Sequence, residues 1–204
     1  MDVKLNFINN SNNDDQSVVV FQKNVATSFD ELAVAWKVIQ YIGQGDNHPF
    51  IFPMTMQISA SDSWGNYTPQ LNAYNGQLFH VTLTGSGDSL SLLGPATSPT
   101  EIQLRNDLVA GAINANIYKD GRLLAIKTSI APGQKAVFEF KPTIWIGVVS
   151  QVVQGQVMNS AILSEINTEL SLLGIAGADI VMTGGGPGTS SIPYTFSLQN
   201  VVMY

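Results

Sequence analysis

The chain has 204 residues, a net charge of −6, no Cys, two His, and only 12% charged residues. Most unaided protein chemistry draws on His, Cys or clustered Asp, Glu and Lys, so this inventory argues against most enzyme classes. The nine Lys and Arg are scattered singly, which argues equally against nucleic acid and anionic membranes, both of which are held by clustered cations.

Charged residues make up about half their usual share, with Asn, Gln, Ser and Thr in their place. Such a surface has little charge to keep copies apart, which favours association. No apolar run approaches the ~20 residues of a membrane-spanning helix. The opening Met1-Asp2-Val3-Lys4-Leu5-Asn6-Phe7 lacks the apolar stretch of a signal peptide. The expectation is a cytoplasmic protein or one exported by a leaderless route.

In chain order, Val3, Leu5 and Phe7 alternate with Lys4 and Asn6 as a first half-buried strand. Residues 9–15 are an Asn/Asp-rich turn, and Val18 to Phe21 a second strand that closes an opening hairpin with the first. The run from Leu32 to Ile39 favours a strand through Val34, Trp36 and Val38. Residues 43–47 form a turn, and Phe50 to Ser59 a strand whose Pro53 marks an edge or bend. Strands follow near residues 66–73, 78–84 and 90–93, then a Pro-containing loop at 94–100, then strands at 101–105 and 113–119. Asp120-Gly121 between apolar runs is the strongest hairpin signal in the chain, a type I′ turn. Pro132-Gly133 reads as a type II turn closing the next hairpin. Residues 137–141 and 143–149 continue as strands, and 151–167 is open between a short helix and irregular structure. Strands at 170–173 and 180–183, a Gly184–Gly188 loop and a last strand through Tyr194, Phe196 and Leu198 complete the chain.

Roughly a dozen short strands at such spacing predict an all-β, single-domain antiparallel sandwich over residues 1–204. Leu90-Ser91-Leu92-Leu93-Gly94 and Leu170-Ser171-Leu172-Leu173-Gly174 raise the question of an internal repeat.

The chemistry-bearing residues read as follows. His48, in Gly45-Asp46-Asn47-His48-Pro49, reads as part of a capped turn rather than a metal ligand. His80 reads as a strand residue, and no Gly-x-Ser-x-Gly elbow accompanies it. Asn12, Asn13, Asp14 and Asp15 match no calcium-loop spacing. The Gly184–Gly188 run lacks the Lys-Ser/Thr of a phosphate loop. No catalytic residue, metal or cofactor is therefore expected. Trp36 and Trp145 belong to apolar strands and read as core. Trp64 sits among polar turn residues near Tyr67 and Tyr74, a mix suited to sugar rings or a protein surface. Both chain ends read as strands, so Val3, Leu5, Val201, Val202, Met203 and Tyr204 are the candidates for pairing with a second copy.

Several stretches carry a resemblance: Phe7-Ile8-Asn9-Asn10-Ser11, Val18-Val19-Val20-Phe21-Gln22-Lys23-Asn24, Leu32-Ala33-Val34-Ala35-Trp36, Ile144-Trp145-Ile146-Gly147 and Gln154-Gly155-Gln156-Val157. In this order they resemble the rhizosphere-induced (RhiA-like) bacterial proteins; residues 61–116 lie outside the resemblance. It implies a bacterial, leaderless, abundantly produced β-rich protein and transfers no catalytic residue. The leading expectation is a non-enzymatic, self-associating subunit of an oligomer, filament or ordered assembly. A lectin-like module using Trp64, Tyr67 and Tyr74 is the alternative, and a hydrolase with an unrecognised site the third reading.

Overall fold

The computed structural model describes residues 2–13, 16–26 and 33–204. The fold is all-β and sandwich-like, with sixteen strands and one short α-helix among the described residues. Where the sequence reads as one domain, the chain gathers into two compact units.

The first, here the terminal unit, is drawn from Met1–Lys23, Leu32–Met54 and Pro142–Tyr204. Its strands are β1 (Val3–Asn9), β2 (Ser17–Phe21), β3 (Lys37–Ile39) and β4 (Asn47–Phe52), then β13 (Thr143–Val149), β14 (Thr168–Ser171), β15 (Ile175–Gly185) and β16 (Ile192–Met203). They form two four-stranded sheets, in the orders β16-β15-β1-β4 and β14-β13-β2-β3. β1 runs parallel to β15 and antiparallel to β4. Its alternation buries Val3, Leu5, Phe7 and Asn9 and turns Lys4 outward, as period two requires. Trp36 is buried edge-on to Phe52, with ring centroids 5.3 Å apart. β2 is buried on both faces. Its Val19 and Phe21 side packs with Ala33, Ala35, Val149, Val152, Met158 and Ile166. This layer includes the helix α1 (Ser160–Glu165), capped by the Asn159 side chain. The helix resolves the open reading of 151–167. Trp145 is only half-buried; it stacks on Phe21 and lies beneath the Lys23 ammonium, 3.6 Å from the ring centre.

The second, inserted unit comprises Asn24–Glu31 and Thr55–Lys141. Its strands are β5 (Met56–Ser61), β6 (Leu71–Ala73), β7 (Gln77–Thr84), β8 (Gly87–Pro95), β9 (Ile102–Asn106), β10 (Ile113–Lys119), β11 (Arg122–Ile130) and β12 (Lys135–Phe138). Again there are two four-stranded sheets, β8-β7-β9-β12 and β6-β5-β10-β11.

The two units share one topology. β7 pairs antiparallel with β8 and parallel with β9, as β15 does with β16 and β1. Substituting β13, β14, β15, β16, β1, β2, β3, β4 for β5 to β12 reproduces every pairing. The terminal unit is thus a circular permutation of the inserted one. Detail follows topology. Asn9 ends β1 and Asn106 ends β9, and both are fully buried. The Asn9 amide nitrogen donates to the carbonyls of Asn13 and Ile42, and its oxygen accepts from the Ser11 backbone N–H. The Asn106 amide donates to the carbonyls of Gly111 and Ile130, and accepts from Leu108 N–H. Asn9 brackets the turn at Gly45-Asp46 through its own backbone, and Asn106 does the same at Gly133-Gln134. Gly45 and Gly133 hold φ values of 87° and 80°, which only glycine adopts without strain.

Some expectations change. The first two strands lie in different sheets, so the opening hairpin is a crossover. Pro132-Gly133 forms its turn, with Gln134 N–H bonded to the Ala131 carbonyl, yet it too carries the chain between sheets. Regular strand in the run ending at Ile39 is confined to β3, preceded by a Val34–Val157 bridge; Leu32 itself lies outside the described residues. Asp120-Gly121 closes the β10–β11 hairpin, with φ positive at both residues. The Leu90 pentapeptide is in β8 while the Leu170 one starts in β14. These strands are not equivalent, so the true duplication is not the one the pentapeptides mark.

Removing either buried carboxamide takes away two donors to backbone carbonyls and an acceptor for a backbone N–H. Asn9→Ala and Asn106→Ala are each expected to cost about 3 kcal/mol in urea unfolding, whereas Asn66→Ala, on the surface, stays within about 0.5 kcal/mol.

Candidate functional site

The connection from β5 to β6 builds a concave polar feature that contains a sequence-predicted ligand residue, Tyr67. Asp62 follows β5 and organises the turn. Its carboxylate accepts from the backbone N–H of Trp64 (2.8 Å) and Asn66 (2.9 Å) and from the Asn66 side chain (2.7 Å). Bonding to Asn66, chiefly through the side-chain amide, holds the Asp62 carboxyl below its ordinary range. The turn closes through Asp62 N–H to the Asn66 carbonyl and Thr68 N–H to the Ala60 carbonyl. Tight local bonding projects Trp64 outward, 88% exposed, with Tyr67 64% exposed.

Below this turn lies an open cleft of about 440 Å³. Asp62, Asn66, Tyr67 and Thr68 line one side, Ser86 and Asp88 from the β7–β8 turn line the other, and Val81 and Ile113 form an apolar floor. The wall offers hydroxyls, an amide and two carboxylates, and no cation. That chemistry suits a neutral ligand rich in hydroxyl groups and opposes phosphate. Tyr74 is exposed but lies apart. Tyr67 bridges to Ser61 at one end of β5, while Ala73, next to Tyr74, pairs with Met56 at the other. About 17 Å of strand separates the two.

The duplication supplies an internal comparison. The connection equivalent to 62–70 is 150–167, which carries α1 and packs back on its own sheet. The Trp64 turn therefore belongs to the inserted unit alone.

A second feature peculiar to that unit escaped sequence reasoning. His80 Nδ1 lies 2.9 Å from Asp107 Oδ2, and Arg105 grips the same carboxylate through Nε (2.6 Å) and Nη2 (2.8 Å). Arg105, then burial opposing it, then His80 set the Asp107 carboxyl, with a net lowering. His80 stands in register with Ser91 on β8 and Arg105 on β9. The equivalent positions in the terminal unit are Val181, paired with Ile8, and Asn10. The guanidinium already neutralises the carboxylate that a catalytic imidazole would need, so the group acts as a polar tie between β7 and β9. The spacing of Arg105 and Asp107, two apart across the end of β9, is the signal that could have found it.

His48 lies on β4, with its pKa lowered by burial and then by the Lys37 charge. Asp46 accepts the Gly43 N–H as a turn cap. Among the described residues no three His, Asp or Glu converge as metal ligands. Asn13 is buried and bonds the Gln16 backbone through its side chain; Asp14 and Asp15 lie outside the described residues.

The self-association candidates divide. Val3 and Leu5 are buried on β1, which lies between β15 and β4. Val201, Val202, Met203 and Tyr204 are exposed. Among the described residues β16 pairs only with β15. Across Ile192–Met203 it carries no charged residue. Tyr204 ties the end of β16 to the start of β1, its hydroxyl donating to the Asp2 carbonyl. Comparison of the chain with protein-family models, curated proteins and solved structures finds no match in any of the three.

Asp62→Ala is expected to free the turn. Amide exchange at Trp64 and Asn66 should rise roughly tenfold while the thermal midpoint moves by no more than about 2 °C. Because the folded Asp62 carboxyl is lowered, order in the turn persists above the ordinary carboxylate range. It is lost as pH falls through the depressed value, which the Trp64 indole NMR signal would follow.

Proposed function

We propose that this protein acts by associating with itself, not by catalysis, and that the free edge of β16 is the contact. One observation carries this: a twelve-residue edge strand without a single charge, which exposes Ile192, Val201, Val202 and Met203. Unpaired N–H and C=O groups on such an edge template another strand, and proteins normally guard them with Lys, Pro or a bulge. Here the guards are Pro193 near the start and the left-handed Asn200, near which the register with β15 shifts. Antiparallel pairing of two β16 edges sets the same strand on both sides of a two-fold axis, the commonest symmetry of homo-oligomers. The charge-poor composition offers little repulsion to oppose it. The resemblance to RhiA-like proteins accords with a role that needs no catalytic group.

A second reading is supported by the cleft. Trp64 and Tyr67 give exposed rings beside a cation-free polar wall, the arrangement by which an aromatic face stacks on a sugar and hydroxyls are met by amide and carboxylate.

Val202→Lys is expected to weaken self-association at least roughly tenfold, read by sedimentation, with the circular dichroism spectrum unchanged. Wild-type protein that stays monomeric at millimolar concentration would defeat the edge reading. For the cleft, Trp64→Ala and Tyr67→Ala should each weaken binding on a glycan array by about tenfold, and Tyr74→Ala should leave it unchanged.

A further inference from the structure

The terminal unit is assembled from two halves that no short connection joins. One half is β1 to β4, the other β13 to β16, and residues 55–141 of the inserted unit lie between them in the chain, while its remaining stretch, 24–31, runs between β2 and β3. Each half leaves core residues that the other covers. β1 completes its sheet against β15, and β2 against β13. Phe21 stacks on Trp145, and Val19, Ala33 and Ala35 pack on Val149, Met158 and Ile166. Backbone bonds from Asn10 to Met182, from Ala35 to Gln156 and from Met158 to Ala33 sew the seam.

The inserted unit makes the same seam with the opposite covalent order. There β5 to β8 come first and β9 to β12 follow, yet β7 pairs with β9 and β5 with β10 just as β15 pairs with β1 and β13 with β2. The interface between halves is therefore indifferent to how they are tethered. We propose that a second copy of this chain can supply the missing half: β1 to β4 of one molecule close onto β13 to β16 of the next. The occupant is fixed by the register already seen; Pro53-Met54-Thr55, between β4 and β5, is the hinge, and Asn24 and Val25, bonded to Val137 and Glu139, part from them with the same half. Each molecule then gives one half and accepts one, a head-to-tail exchange that generates a ring or an open filament. Closure within one chain is favoured by effective concentration when dilute, and exchange when concentrated. In this arrangement Val3 and Leu5, buried in the single molecule, become contacts between copies.

The inference rests on the self-association reading and adds a seam distinct from the β16 edge. The test uses the absence of Cys in the chain. Asn6 and Asp179 face each other across β1 and β15, joined by a 3.1 Å hydrogen bond. The full-length double variant Asn6→Cys/Asp179→Cys, refolded dilute, should form an intrachain disulfide; failure to do so overturns the register on which the exchange depends. Full-length Asn6→Cys and Asp179→Cys chains are then unfolded together, refolded at high concentration and oxidised. Peptide mass should identify a disulfide joining the two substituted positions of different chains, at least roughly tenfold more abundant than when the two variants are folded separately and then mixed. Sedimentation of wild-type oligomers without that interchain linkage overturns the exchange and leaves the β16 contact standing. Monomers throughout overturn both.

Discussion

The architecture depends on two carboxamides buried where a strand ends. Asn9 and Asn106 each satisfy a backbone N–H and a backbone carbonyl of the turn that follows and one carbonyl distant in sequence, that of Ile42 or Ile130. A buried amide that lost its partners would carry the full cost of desolvation, while one that keeps them ties its neighbours into a single geometry. In each unit this one side chain joins the turn that follows its strand to the segment that ends β3 or β11, while its backbone meets the glycine turn before β4 or β12. The crossover between the two sheets is held there. Both units use the same device, which marks it as architectural.

That duplication separates scaffold from embellishment without reference to any other protein. What both units share, the strand order, the buried Asn and the left-handed glycine turns, builds the fold. What only one has must be explained otherwise. The Asp62 turn with its exposed Trp64, and the His80–Asp107–Arg105 group, occur only in the inserted unit. The second ties strands together with charge where the terminal unit uses Val181 and Ile8. The first leaves an indole in water and a polar cleft beside it, and contributes nothing evident to packing.

Local physics was legible in the chain. Val3, Leu5 and Phe7 announce a buried face because period two is a property of any strand. Asp120-Gly121 announces its turn because few residue pairs tolerate two positive φ angles in succession. The helix within 151–167 shows only as an ambiguous spacing, since six residues are too few for a clear period. Trp64 and Tyr67 stay together because a single turn holds both, whereas β6 carries Tyr74 away to the far end of β5. Arg105 and Asp107 look like ordinary strand polars until β7 brings His80 beside them. The first two strands look like a hairpin because adjacency in sequence is the only evidence a sequence reader has, and the buried Asn9 defeats it by steering the chain into the other sheet.

The sequence by itself determined that the protein is built of strands, where most of them turn, and that it is poor in charge and reactive groups; these follow from the period and chemistry of neighbouring residues. Only the tertiary structure decided that the strands form two permuted copies of one topology, that β1 lies inside a sheet while β16 lies at its edge, and that the asparagines ending β1 and β9 are fully buried. Each of these depends on pairings between segments far apart in the chain. Such pairings are chosen by the summed burial and hydrogen bonding of the whole unit, and no short stretch of sequence encodes that sum.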